Sequence, residues 1–213
     1  MPEIHLILGP RAPTLYWFVD QPGTNLVQVQ QDWFARNWRK IPKGAEYPRY
    51  TYIREAFEQD AGHLERFLAE ETLGTVKPTQ CEVTYVNALQ PVKGIWEDHA
   101  DISAIIRPWS STSVGDLVKP EEAQFNVSYV LMQAQEPIGR LRITLQPAFS
   151  LEDQVPIYLL NLSTRGNPLG EGFDGVMNFF DLGHETIVRA FEKITSDELH
   201  VVWGKNESQS NAI

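Results

Sequence analysis

The stretch Gly139-Arg140-Leu141-Arg142-Ile143-Thr144-Leu145-Gln146-Pro147-Ala148-Phe149 alternates from its first residues. Leu141, Ile143 and Leu145 fall on one side, and Arg140, Arg142, Thr144 and Gln146 on the other. Successive side chains of a strand point to opposite faces, so this is a strand with one dry face and one wet face. Its neighbours follow the same period. Gln124 to Gln133 places Phe125, Val127, Tyr129 and Leu131 together, and Gln80 to Leu89 does so with Cys81, Val83, Tyr85 and Asn87. Val155 to Ser163 is more apolar and suits a central strand. Consecutive alternating strands imply an antiparallel sheet with one solvated face.

Further out the signals are weaker. Asp101 to Arg107 reads as a short strand, and the serine-rich stretch Pro108 to Pro120 as a loop. Leu15 to Asp20 and Leu26 to Trp33 flank Gln21-Pro22-Gly23-Thr24-Asn25, whose Pro and Gly suit a turn, so the pair predicts a hairpin. On the returning strand Val27, Val29 and Trp33 share a face opposite Gln28, Gln30 and Asp32. His200 to Trp203 reads as a terminal strand, with Ser196 capping a short turn before it.

Two stretches change period. Ile53, Phe57, Ala61, Leu64, Phe67 and Leu68 follow helical spacing and predict a helix from Arg49 to Glu71, ending near Gly74. Phe180, His184, Ile187, Val188, Phe191 and Ile194 predict a second, from Val176 to Ile194. The pattern predicts an α+β fold, an antiparallel sheet of about seven or more strands with two long amphipathic helices packed on one face. Residues 1–213 read as a single globular domain, with an ordered core over 15–204 and a frayed polar tail over 205–213.

Composition narrows function by exclusion. The 213 residues hold 18 Lys or Arg against 28 Asp or Glu, a net charge of −10. That argues against nucleic-acid binding by the surface as a whole, though it leaves room for a local basic site. A single cysteine, Cys81, excludes an internal disulfide framework and a cysteine-rich zinc site. No apolar run approaches the roughly 20 residues of a membrane span, and the start lacks a secretory pattern. A cytoplasmic protein without a membrane partner is the expectation.

One segment departs from this acidity. From Trp33 to Arg54 there are six Lys or Arg and one Glu, interleaved with Trp33, Phe34, Trp38, Tyr47, Tyr50 and Tyr52. Arginine beside aromatic rings can hold phosphate and base, or form the hot spot of a protein interface. The plainer alternative makes the rings core and lets the cations pack around them. The binding candidates are Arg36, Asn37, Arg39, Lys40, Tyr47, Arg49 and Tyr50, together with His184 on the second helix. His184 is also a good buried histidine, hydrogen-bonded to a strand group such as Asn87.

Catalytic and metal patterns are thin. Gly170-Glu171-Gly172-Phe173-Asp174-Gly175 matches a dinucleotide fingerprint, but Thr164 to Leu169 separate it from the preceding strand and its acids would repel phosphate. It reads as a flexible loop. Glu97, Asp98, His99 and Asp101 cluster without a geometry that fixes a cation. Ser110, Ser111 and Ser113 lack a nucleophile-elbow context. No catalytic residue, metal ligand or cofactor is assigned.

Taken in order, several landmarks resemble a sporadically distributed bacterial family of uncharacterised proteins. They are Tyr16-Trp17-Phe18-Val19, Leu26-Val27-Gln28-Val29-Gln30, Asp32-Trp33-Phe34, Asn37-Trp38-Arg39-Lys40, Tyr47-Pro48-Arg49-Tyr50, Phe57 and Gln80-Cys81-Glu82-Val83-Thr84-Tyr85-Val86-Asn87. His184, Phe191, Ile194-Thr195, His200 and Trp203-Gly204 close the set. The resemblance runs from about Leu15 onward. Family members carry a longer segment before the first strand than the 14 residues here. The resemblance implies fold and extent, not a reaction.

The expectation is therefore a non-enzymatic protein-interaction module of a multi-protein bacterial system, with a protein partner or further copies of itself. The alternative is nucleotide or nucleic-acid binding through segment 33–54. An enzyme with dispersed polar residues such as Asp32, Glu97 and His184 ranks last.

Overall fold

A computed structural model describes residues 15–41, 46–109, 114–117 and 119–204. The chain divides into two compact units, Met1–Val76 and Lys77–Ile213. Each has its own antiparallel sheet. The expected single sheet of seven or more strands is thereby corrected: the seven strands form one sheet of three and one of four. The two long helices do not share one sheet face, since each packs within its own unit. Alternation marks which residues are strands, but it carries no record of which strands pair.

In the first unit β1 (Tyr16–Val19), β2 (Asn25–Gln30) and β3 (Trp33–Trp38) form a meander in that order. The first turn is held by Asp20. Its carboxylate accepts from the Asn25 side chain at 2.7 Å, the Asn25 backbone at 3.0 Å and the Thr24 hydroxyl at 3.0 Å. β3 is an element the sequence does not predict. A two-residue turn at Gln31-Asp32 ends β2, and Gln30 faces Trp33 across it. Trp33 thus leaves the face of Val27 and Val29 to which simple alternation assigns it. Helix α1 (Arg49–Glu70) starts at the expected residue and runs 22 residues. It stops one turn before Gly74, where Thr72 takes a left-handed φ of 56° and the Leu73 amide bonds back to the Leu68 carbonyl at 2.9 Å. Phe57 and Ala61 are the buried residues of α1, and Phe57 meets Phe34 of β3 with ring centres 5.3 Å apart.

The second unit is built on β4 (Cys81–Leu89), β5 (Phe125–Gln133), β6 (Glu136–Phe149) and β7 (Pro156–Gly166). The order is β4-β7-β6-β5, so β7 and β6 are interior. The expected central position of the apolar strand is what the sheet shows. Leu141, Ile143, Leu145, Leu160 and Leu162 line the covered face and are buried. Helix α2 (Gly172–Ile194) packs over β7 and β4. It begins four residues before the expected Val176, because the glycine-rich stretch continues straight into its first turn.

Two expected strands are not strands. The Asp101 to Arg107 stretch contains a 3-10 helix, Ile102–Ala104, followed by an isolated bridge from Ile106 to Thr195. Ile102, Ile105 and Ile106 are fully buried, a helical spacing rather than an alternating one. The expected terminal strand at His200 is part of helix α3 (Asp197–Val202), which starts after Ser196 with Asp197 and Glu198 in its first turn. Acids there oppose the partial positive charge of a helix start.

The other face of the four-stranded sheet is not covered by α2. Glu82, Ser128, Arg140, Arg142 and Arg165 all stand exposed on it. Among the described residues no helix is long and apolar enough to cross a membrane.

Candidate interaction surfaces

The basic, aromatic segment resolves into separate jobs. Arg36, on the α1-facing side of β3, pairs with Asp60 of α1, and its side chain is only 12% exposed. It also donates to the side-chain oxygen Oδ1 of Asn25 at 3.4 Å. It ties sheet to helix and is not offered to a ligand. Asn37 lies on the opposite face of β3 and donates to the Gln28 side chain at 2.8 Å. Arg39 donates through Nε to the Gly23 carbonyl at 2.7 Å, closing the β1–β2 turn. The Trp38 ring meets Tyr47 edge-on at 5.3 Å. Arg49 opens α1 with a φ of 71°, a left-handed backbone rare in a residue with a Cβ. Lys40 and Arg49 are exposed and Tyr50 is half-buried. Lys43 lies outside the described residues. The described candidates therefore do not gather into one cation cluster, and Arg36, Asn37 and Arg39 hold hydrogen bonds within the unit.

His184 is elsewhere, in the second unit. Its Nδ1 shares a hydrogen bond of 2.9 Å with the Tyr85 hydroxyl, while the expected partner Asn87 donates to the Leu160 carbonyl at 3.4 Å. Burial holds the imidazole pKa below its usual value, against the opposing pull of Asp181 and Glu185. A neutral histidine bonded to a tyrosine fastens α2 to β4.

The remaining motifs turn inward or pair off. Asp101 accepts from the backbone amides of Glu97 at 3.0 Å and Asp98 at 3.2 Å, and Lys119 bridges Asp98 at 2.9 Å and Asp101 at 3.2 Å. His99 points away from them and is buried, with Nε2 3.0 Å from the carbonyls of Ala148 and Ile157. The acidic cluster is thus a loop knot with its own cation, and its histidine belongs to the core. The glycine-rich loop folds back over α2. The Leu169 amide bonds to the Gly175 carbonyl at 2.8 Å, and a Cβ on Gly175 would lie 2.3 Å from the Gly170 carbonyl oxygen. Its glycines serve that close approach. Cys81 is buried, and burial pushes its thiol up to about 11. Ser110, Ser111 and Ser113 fall outside the described residues.

One surface, read in the sequence as a strand and a landmark, is not among the binding candidates. Among the described residues β1 is an edge strand, and its residues are all apolar and all exposed: Tyr16 59%, Trp17 57%, Phe18 60% and Val19 47%. Both of its faces are open, since Tyr16 and Phe18 alternate with Trp17 and Val19. The rest of the unit offers little cover. Among its described residues only Leu26, Phe57 and Ala61 are buried apolar side chains. Soluble proteins usually blunt such edges with charge, proline or a covering element. The signal available in the sequence was the uncharged run of aromatics before a turn, which reads equally well as a buried strand.

No family model matches the chain, and no curated protein or solved structure matches it.

Proposed function

We propose that the protein is a non-enzymatic interaction module that takes an extended, uncharged, apolar segment of a partner protein along β1. The observation that carries this reading is the exposure of four consecutive apolar residues at a sheet edge. An added strand would satisfy the outward backbone groups of β1 and cover its side chains on both faces. Size favours such a segment over a flat self-association. A stable interface removes roughly 1,000 Å² or more from water, beyond what a four-residue edge supplies by area alone. Strand addition gains its affinity from backbone hydrogen bonds and from alternate side chains.

The test is selection of extended peptides from a random display library on the full-length protein. Wild type and Phe18→Lys are compared, with size-exclusion light scattering on both. The reading predicts peptides rich in alternating β-branched and aromatic residues, whose binding the lysine abolishes while the circular dichroism spectrum is unchanged. Peptides that bind both proteins alike would overturn it. So would a concentration-dependent dimer lost in Phe18→Lys, because β1 would then belong to a second copy.

A further inference from the structure

The exposed face of the four-stranded sheet carries a local reversal of charge. Arg140 of β6 stands directly opposite Arg165 of β7, and Arg142 lies two residues along on the same face. Glu82 stands opposite Arg165 from the other side. Among the described strand residues of this face it is the one carboxylate, 3.8 Å from the Arg165 guanidinium, which also bonds the Gln80 side chain. Among the described residues no carboxylate pairs with Arg140 or Arg142. Like charges directly opposite across a ladder destabilise a sheet. This chain has 28 acidic residues to draw on and places one beside three guanidinium groups.

The three arginines border a shallow cavity of about 450 Å³, with Ser128 and Ser163 between them. Ser163 and Ser128 are the cross-strand neighbours of Arg142 on its two sides. Guanidinium forks match phosphate oxygens in pairs, and hydroxyls complete such a shell.

We propose that this face binds a small phosphorylated molecule, with its phosphate held by Arg140 and Arg142 and flanked by Arg165. A nucleic-acid strand fits less well. The strand residues on this side of the sheet include no aromatic ring on which bases could stack, and the chain at −10 repels a long polyanion beyond the patch. An anion offsets the repulsion among the three guanidinium groups, so binding stabilises the fold.

Thermal unfolding of the full-length protein tests this, with inorganic phosphate, pyrophosphate, ADP and a single-stranded oligonucleotide as probes at fixed ionic strength. The expected result is a saturable rise in melting temperature with pyrophosphate or ADP. Arg142→Gln and Arg140→Gln should each weaken binding by about tenfold or more, the loss of one charge-assisted contact. The same variants should melt at or above the wild-type temperature without ligand, because a like charge has gone. That second readout separates loss of a site from loss of the fold. Absence of a saturable shift with any phosphate, equal binding by both variants, or binding of the oligonucleotide alone would each overturn the proposal.

Discussion

At the scale of single residues, the basic segment shows how charge can serve structure before function. Arg36 and Arg39 sit three positions apart, yet one is confined between β3 and α1 and the other lies over an exposed turn. Arg36→Met should cost about 1–3 kcal/mol in urea unfolding, because it strips a charge-assisted bond from a half-buried Asp60. Arg39→Met should stay within about 0.5 kcal/mol, as for exposed positions generally. Asp20 gives a pH-dependent counterpart. The Asn25 side chain, chiefly, holds its carboxyl down at about 2, from an ordinary value of 3.8. A depressed carboxyl stabilises the fold above its unfolded value, and that contribution is lost as pH falls from about 4 through about 2. Asn25→Ala should move the Asp20 titration back towards 3.8, read by carboxyl carbon NMR.

At the scale of elements, the β5–β6 hairpin is open to improvement. Its two-residue turn, Ala134-Gln135, has φ of 48° and 70°, a mirror-image turn usually built from Asn-Gly. Ala134→Asn with Gln135→Gly should stabilise the protein by about 1 kcal/mol, seen as a higher melting temperature. Gly166→Ala should do the reverse. Its Cβ would fall 2.2 Å from the Ile138 carbonyl oxygen and 2.6 Å from the Phe179 ring, and overpacking of this kind costs about 1–3 kcal/mol. Such elements also show what could be read in advance. The strands β4, β5 and β6 and helix α1 were legible because each keeps one period over most of its length, and β7 because it is a bounded apolar run that suits a central strand. β3 was not, because the Gln31-Asp32 turn contains no glycine and no left-handed residue. The Ile102 region was misread because its buried isoleucines fit a short apolar run as easily as a helical turn.

At the scale of the molecule, the two units differ in how well they are filled. The large core cluster, from Leu89 and Trp96 to Leu199, draws only on residues of the second unit. Residues 77–213 expressed alone should therefore keep the dispersed NMR spectrum and cooperative melting of that unit in the full chain. The division into two sheets was not legible, since pairing depends on contacts far apart in sequence. Nor was the exposed edge: the sequence drew attention to the cations after β2, whereas the exposed apolar strand is β1 before it. The most direct measurement is hydrogen–deuterium exchange of the full-length protein with and without a selected extended peptide. The outward-facing amides of Tyr16 to Val19 should exchange quickly in the free protein and gain protection when the peptide binds. Protection centred on Lys40, Tyr47 and Arg49, with β1 unchanged, would contradict strand addition.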